Sequence, residues 1–201
     1  MCTQPGTETV RESLTEPMPD EAALPGDVAA RLRSLPPINI YRLLGNVPPA
    51  VIPWTDMTRA VYQCSIDPRL RELAICRQAH VAGAAYELHQ HRLIARNNGV
   101  TEAELDAVTG AAPLDCLDDA AQLVCQVAEQ LESTATITDR TFEQLYHAFD
   151  VRTATELLFI LSFYCAVGRF SNATRAAIEQ NNPLAAAASP TEPPTPRRAD
   201  T

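Results

Sequence analysis

Helix start and stop signals follow one another so closely along this chain that little else can form between them. Asp67-Pro68 is the clearest, a carboxylate cap followed by proline at the first helical position. The spacing predicts a helix over 68–81, a break at Gly83, and a second helix over 84–98 that stops at Asn98-Gly99. Thr101 and Glu104 then have the spacing of a capping box for a further short helix. Upstream, Asp27 is a cap for VAARLRSL, which Pro36-Pro37 stops, and Asn39 for IYRLLG. Between them and Asp67, a helix is expected from about Pro49 to Cys64, with its true start nearer Ile52 because Pro53 belongs in a first turn. Downstream, helices are expected over Asp115 to Glu132, from Thr138 through TFEQLYHAF, and from Asp150 to about Glu179. No period-two run of β-branched residues separates them, so the fold class is all-α, a compact multi-helix bundle. The helices at 68–81 and 151–171 are apolar on most sides and belong at the centre.

With 201 residues, 46% of them hydrophobic, the chain can bury one ordinary core. Residues 1–25 are polar and proline-bearing, and 183–201 are a Pro/Ala-rich string; both are expected to be flexible tails, or else draped on the surface, around one domain over 26–182. The net charge of −9 argues against a nucleic-acid backbone or an anionic membrane as partner. The N-terminus has no basic region followed by an apolar run, and no segment reaches the ~18 unbroken apolar residues of a membrane span. A cytoplasmic location is expected. All 16 basic residues are arginine, which excludes lysine Schiff-base chemistry, a phosphate-loop lysine and covalently held pyridoxal. Six widely spaced cysteines form no C-x-x-C pair, so neither a disulfide framework nor a zinc knuckle is expected. No glycine-rich phosphate loop points to a nucleotide.

Chemistry concentrates in residues 71–91. Glu72 shares a helical stripe with Ile75, Cys76 and Ala79, which turns its carboxylate inward. Such a group is paired or takes up a proton, with Arg77 and Arg169 as the candidate partners. Glu87 and His91 are four residues apart on one face of the next helix and can pair, either in a site or as an exposed couple. A turn at Gly83 brings Glu72 towards His91. His80, His89 and His91 have metal-like spacing, but residues two apart on a helix diverge, so no metal is expected.

The run DPRLRELAICRQAHVAGAAYELHQHRLIARNNGVTEAEL resembles the carboxymuconolactone decarboxylase family, which includes alkylhydroperoxidase-D-like proteins. INIYRLLGN, TDRTFEQLYHAF and ATELLFILSFYCAVGRFSNA are similar to the same family, so the resemblance spans roughly residues 36–180. It implies an all-helical fold, decarboxylase chemistry without organic cofactor or metal, and a homo-oligomer (dimer, trimer or hexamer). The glutamate, two cysteines and histidine of the peroxidase branch fall on Glu72, Ala84, Glu87 and His91, and the residue before its second cysteine on Tyr86. Both redox cysteines are therefore replaced, and thiol–disulfide chemistry has no thiolate there. The resemblance implies instead a lyase or isomerase acting on a small organic acid, lactone or enolisable metabolite. Glu72, Glu87 and His91 are its candidate catalytic residues, with Tyr86, Arg169 and Asn172 as candidates for holding substrate oxygens. A non-catalytic oligomeric binding protein of the same fold and, further off, a peroxidase using Cys76 are the alternatives.

Overall fold

The computed structural model describes residues 16–110 and 112–191. Among them are nine α-helices and no strand: α1 Gly26–Arg33, α2 Asn39–Leu44, α3 Pro48–Tyr62, α4 Pro68–Val81, α5 Ala85–Asn97, α6 Glu102–Val108, α7 Asp119–Thr134, α8 Asp139–Ala148 and α9 Val151–Ala173. The expected all-α class holds. The expectations for residues 1–15 and 192–201 lie outside the described residues.

Helix α4 is the axis of the fold. It starts where Asp67 accepts the N–H groups of Arg69 and Leu70 at 2.8 and 3.1 Å. Nine of its fourteen residues are buried, because α5, α6, α7 and α9 all pack on it. Gly83, with φ +61, ends this segment and turns α5 back along α4. The capping box of α6 forms as its spacing predicts, with Thr101 and Glu104 exchanging hydrogen bonds. Leu73, Ile75, Val124, Leu157 and Ile160, all fully buried, belong to the main core.

Several boundaries differ from the sequence reading. Helix α1 starts at Gly26, with Asp27 inside its first turn, and Asn39 is the first residue of α2 rather than its cap. Helix α3 starts at Pro48, so Pro53 sits in its second turn. The carbonyl it leaves without a helical donor belongs to exposed Pro49, where water can reach. Helix α7 starts after Asp118, whose carboxylate accepts from Ala121 N–H at 2.9 Å; Asp115 lies in a preceding 3-10 turn. Helix α9 ends at Ala173 rather than Glu179. Arg175 takes a left-handed conformation, φ 53, and the Ala176 and Arg175 N–H groups return to Ser171 and Asn172 carbonyls at 3.0 and 3.2 Å. That is a Schellman ending built without glycine.

The tails need the largest correction. Residues 183–191, expected within a flexible tail, pack on the domain. Pro183–Ala186 form a 3-10 turn against α5, and Leu184 is fully buried. Asn97 holds the Ala185 and Ala187 carbonyls at 3.3 and 2.9 Å, and Asn98 holds that of Ala188 at 2.9 Å. One buried leucine gains about 1.5–3 kcal/mol, enough to anchor a short strap that its composition alone does not reveal. At the other end, Glu16 N–H bonds Thr174 O at 3.2 Å, so residues 16–25 are also laid on the bundle.

Helix α9 is long and apolar enough, by length and composition, to cross a membrane. Its Leu157, Ile160, Leu161 and Tyr164 are buried in the bundle, while Val151 (70%) and Phe159 (41%) are exposed. It is therefore central on one face only.

Candidate active site

Glu72 is completely buried, as its helical stripe predicts. Its partners are His91, whose Nδ1 lies 2.8 Å from Oε2, and Arg71, whose Nε donates to Oε1 at 2.9 Å. Neither anticipated arginine is used. Arg77 bonds Glu129, and Arg169 lies 3.6 Å from Glu132. Adjacent residues on a helix diverge, so an Arg71–Glu72 pair is not expected from spacing. The long arginine stem curls back, and its guanidinium lies 4.2 Å over the Tyr62 ring. Burial opposes the charge on Arg71, but Glu72 more than offsets this and raises its pKa. One buried cation thus balances one buried anion, which leaves Glu72 free to orient the imidazole.

His91 is 4% exposed, and what it shows faces a cavity between α2, α3, α5 and α9. With Nδ1 on Glu72, Nε2 is the nitrogen presented to that cavity. The Tyr164 ring stands edge-on to the imidazole, 4.6 Å between centroids, and fixes its tilt. The cavity volume is about 40 Å³, room for a compact ligand.

Glu87 lines the same cavity one helical turn before His91. The two share a face but form no hydrogen bond, which corrects the expected pair. Glu87 Oε2 is buried without a partner among the described residues. Burial, reinforced by the charge of Glu132, pushes its carboxyl well above the ordinary range. This side chain is held as the protonated acid. Gly168 of α9 admits it: a Cβ there would stand 3.1 Å from Oε2.

The other candidates fare differently. Tyr86 lines the cavity, but its hydroxyl donates to Glu179 at 2.7 Å and accepts Ile40 N–H at 3.1 Å. Its proton is committed to the wall. Arg169 and Asn172 do not line the cavity. Arg169 comes two residues after cavity-lining Val167, about 200° further round α9, and its side chain is 65% exposed. Asn172 reaches Ala82 O at 3.5 Å. Glu72 is screened from the cavity by His91, so it positions the ring rather than touching a ligand. Sequence reasoning missed Trp54, Ile94 and Tyr164 in the lining, and Leu184 and Pro190 of the strap. Only their apolar character was visible, and it is shared with the core.

Among the described residues no group of three His, Cys, Asp or Glu side chains is arranged to hold a metal ion. Cys76 is fully buried, and burial raises its thiol well above the usual range.

The chain is thus an all-helical bundle whose central helix sets a buried carboxylate against a histidine on the next helix. Residues 48–130 match the model of the carboxymuconolactone decarboxylase family. The match runs from α3 into α7 and contains Glu72, Glu87 and His91. It supports a carboxymuconolactone decarboxylase or alkylhydroperoxidase-D-like function in general terms. No curated protein matches the chain.

Proposed function

We propose that this protein is an acid–base enzyme, a lyase or isomerase that moves a proton on a small organic acid, lactone or enolisable metabolite and needs no cofactor for that step. The reading rests on one observation: His91 is bonded through Nδ1 to buried Glu72 at 2.8 Å while facing a cavity that Glu87 also lines. An imidazole that donates Nδ1–H to a carboxylate has its lone pair on Nε2, where it can accept a proton. A carboxyl group kept neutral by burial can give one. Proton transfer then runs from a substrate C–H to His91 Nε2. The C–H electron pair moves towards the carbonyl, and the carbonyl oxygen takes the Glu87 proton. Returning a proton to another carbon isomerises the substrate; if the enol instead expels a β-oxygen substituent, which leaves with its bonding pair and takes the proton from His91, the reaction is a lyase step.

Exchange of α-hydrogens in D2O, followed by NMR over a panel of small carbonyl compounds, tests this directly. The wild type should speed exchange of at least one compound. His91→Ala should abolish that rate while leaving the helical circular dichroism unchanged. An H91A variant that keeps the wild-type rate removes the assignment.

We also propose that the chain self-associates in the cytoplasm, which would cover the exposed apolar residues Phe142, Val151 and Phe159 of α8 and α9.

A further inference from the structure

The cavity is poor in the groups that would hold an anion. No arginine lines it among the described residues, and the chain has no lysine. Arg71 is turned into Glu72, and Arg169 lies on another side of α9. Two further carboxylates stand behind the wall. Glu132 acts on Glu87, and Glu179 accepts from Tyr86 at 2.7 Å and from Gln90 at 2.5 Å.

The neutral hydroxyl and amide donors are also largely spent. The Thr58 hydroxyl goes to Trp54 O at 3.0 Å, that of Tyr41 to Pro190 O at 3.1 Å, and that of Tyr164 to the Tyr62 hydroxyl at 3.5 Å. The Gln90 amide spans Glu179 and Asn182, whose Nδ2 lies 2.6 Å from Gln90 Oε1. What remains for a ligand is one acid, Glu87, one basic nitrogen, His91 Nε2, and the indole N–H of cavity-lining Trp54. A carboxylate presents about four lone-pair sites and would meet neutral donors but no arginine or lysine. It would leave water without counter-charge and so bind poorly. A ketone, aldehyde or lactone carbonyl needs only one neutral donor. The rest of the surface, including Ile38, Ile40, Ile94, Val167 and Leu184, is hydrocarbon suited to a compact apolar body.

We infer that the ligand of this cavity is an uncharged, enolisable carbonyl compound with a small apolar body, not a carboxylate. This inference rests on the acid–base reading above and narrows its substrate class. The carbonyl oxygen takes the Glu87 hydrogen bond, and the adjacent C–H faces His91.

Trp54 gives the test. It is the chain's single tryptophan and lines the cavity, so its emission reports occupancy whether or not turnover follows. The full-length protein is titrated at neutral pH with matched pairs: 2-butanone against propanoate, 2-hexanone against pentanoate, and cyclohexanone against cyclohexanecarboxylate. At least one ketone should give a saturable change, with its carboxylate partner about tenfold weaker or more. A carboxylate that binds as tightly as its ketone overturns the inference, and so does failure of all three ketones to saturate the signal. Leu184→Ala removes strap side-chain volume without touching the acid or the base. It should shift the preference towards the larger ketones and keep ketone above carboxylate; a reversal of that order also overturns the inference. Ketone binding without α-hydrogen exchange would sink the enzymatic reading and leave the ligand class standing.

Discussion

Replacing Glu87 by glutamine should make the protein more stable as the pH rises, and the size of the effect follows from its burial. The Glu87 carboxyl is 2% exposed, lacks a partner for Oε2 and is held well above the ordinary carboxyl range by burial and by Glu132. In the unfolded chain it ionises in the ordinary range, near 4.5. Above that pH the folded state therefore holds one more proton than the unfolded state. Stability then falls with rising pH by about 1.4 kcal/mol per unit until the folded-state pKa is reached. Glutamine has the shape of the protonated acid and does not titrate. Between pH 5 and 7 the variant should gain on the wild type by at most about 2.7 kcal/mol, the limit set by one proton over two units. The carboxyls of Glu104, Asp118, Asp150 and Glu156 are depressed by their partners. Their contributions are complete above the unfolded range and are lost only as the pH falls, so they leave this window flat. The assay is urea unfolding of both proteins at half-unit steps from pH 5 to 8. Parallel stability curves would refute the argument, because they would mean that Glu87 ionises alike in both states.

Arg71→Ala strands Glu72 as a buried charge and should cost about 3–5 kcal/mol; urea unfolding at pH 7 reads it, and a loss under 1 kcal/mol would show that the pair is not what neutralises Glu72. Size-exclusion chromatography at micromolar concentration should give an oligomer, because Val151 and Phe159 leave one side of α9 uncovered; a monomer contradicts self-association.

What was legible in the sequence was punctuation and burial. Asp67, Gly83 and the Thr101–Glu104 box act locally, through their own backbone neighbours, so local pattern suffices to place α4, α5 and α6. Glu72 was readable because its helical stripe is small and apolar. Arg169 was not, because a helix that is apolar round most of its circumference carries no phase to say which way a polar residue points. The end of α9 at Arg175 was hidden for a different reason. Left-handed caps are recognised by glycine, and this one is imposed on an arginine by the bonds that Ala176 and Arg175 return to the last turn. The strap was hidden because its partners, Asn97 and Asn98, are some ninety residues away in sequence.

The two carboxyl groups of the site show how burial alone does not decide a role. Glu72 and Glu87 are both removed from water, on helices joined by a single turn. Glu72 meets a guanidinium and a ring N–H, so its negative charge has two donors to rest on. No donor reaches Oε2 of Glu87 among the described residues, and its burial is reinforced by the charge of another carboxylate, Glu132. The first arrangement favours an anion that fixes an imidazole; the second favours a proton held ready for transfer. Both residues fall within the family match, whereas the strap residues Leu184 and Pro190 and the α2 side chains that close the cavity lie outside it. His91 and Glu87, the residues proposed to move the proton, thus lie in the segment that matches the family model. Part of the apolar wall, Leu184 included, comes from the flanking segments, so selectivity should respond to Leu184 while proton transfer responds to His91.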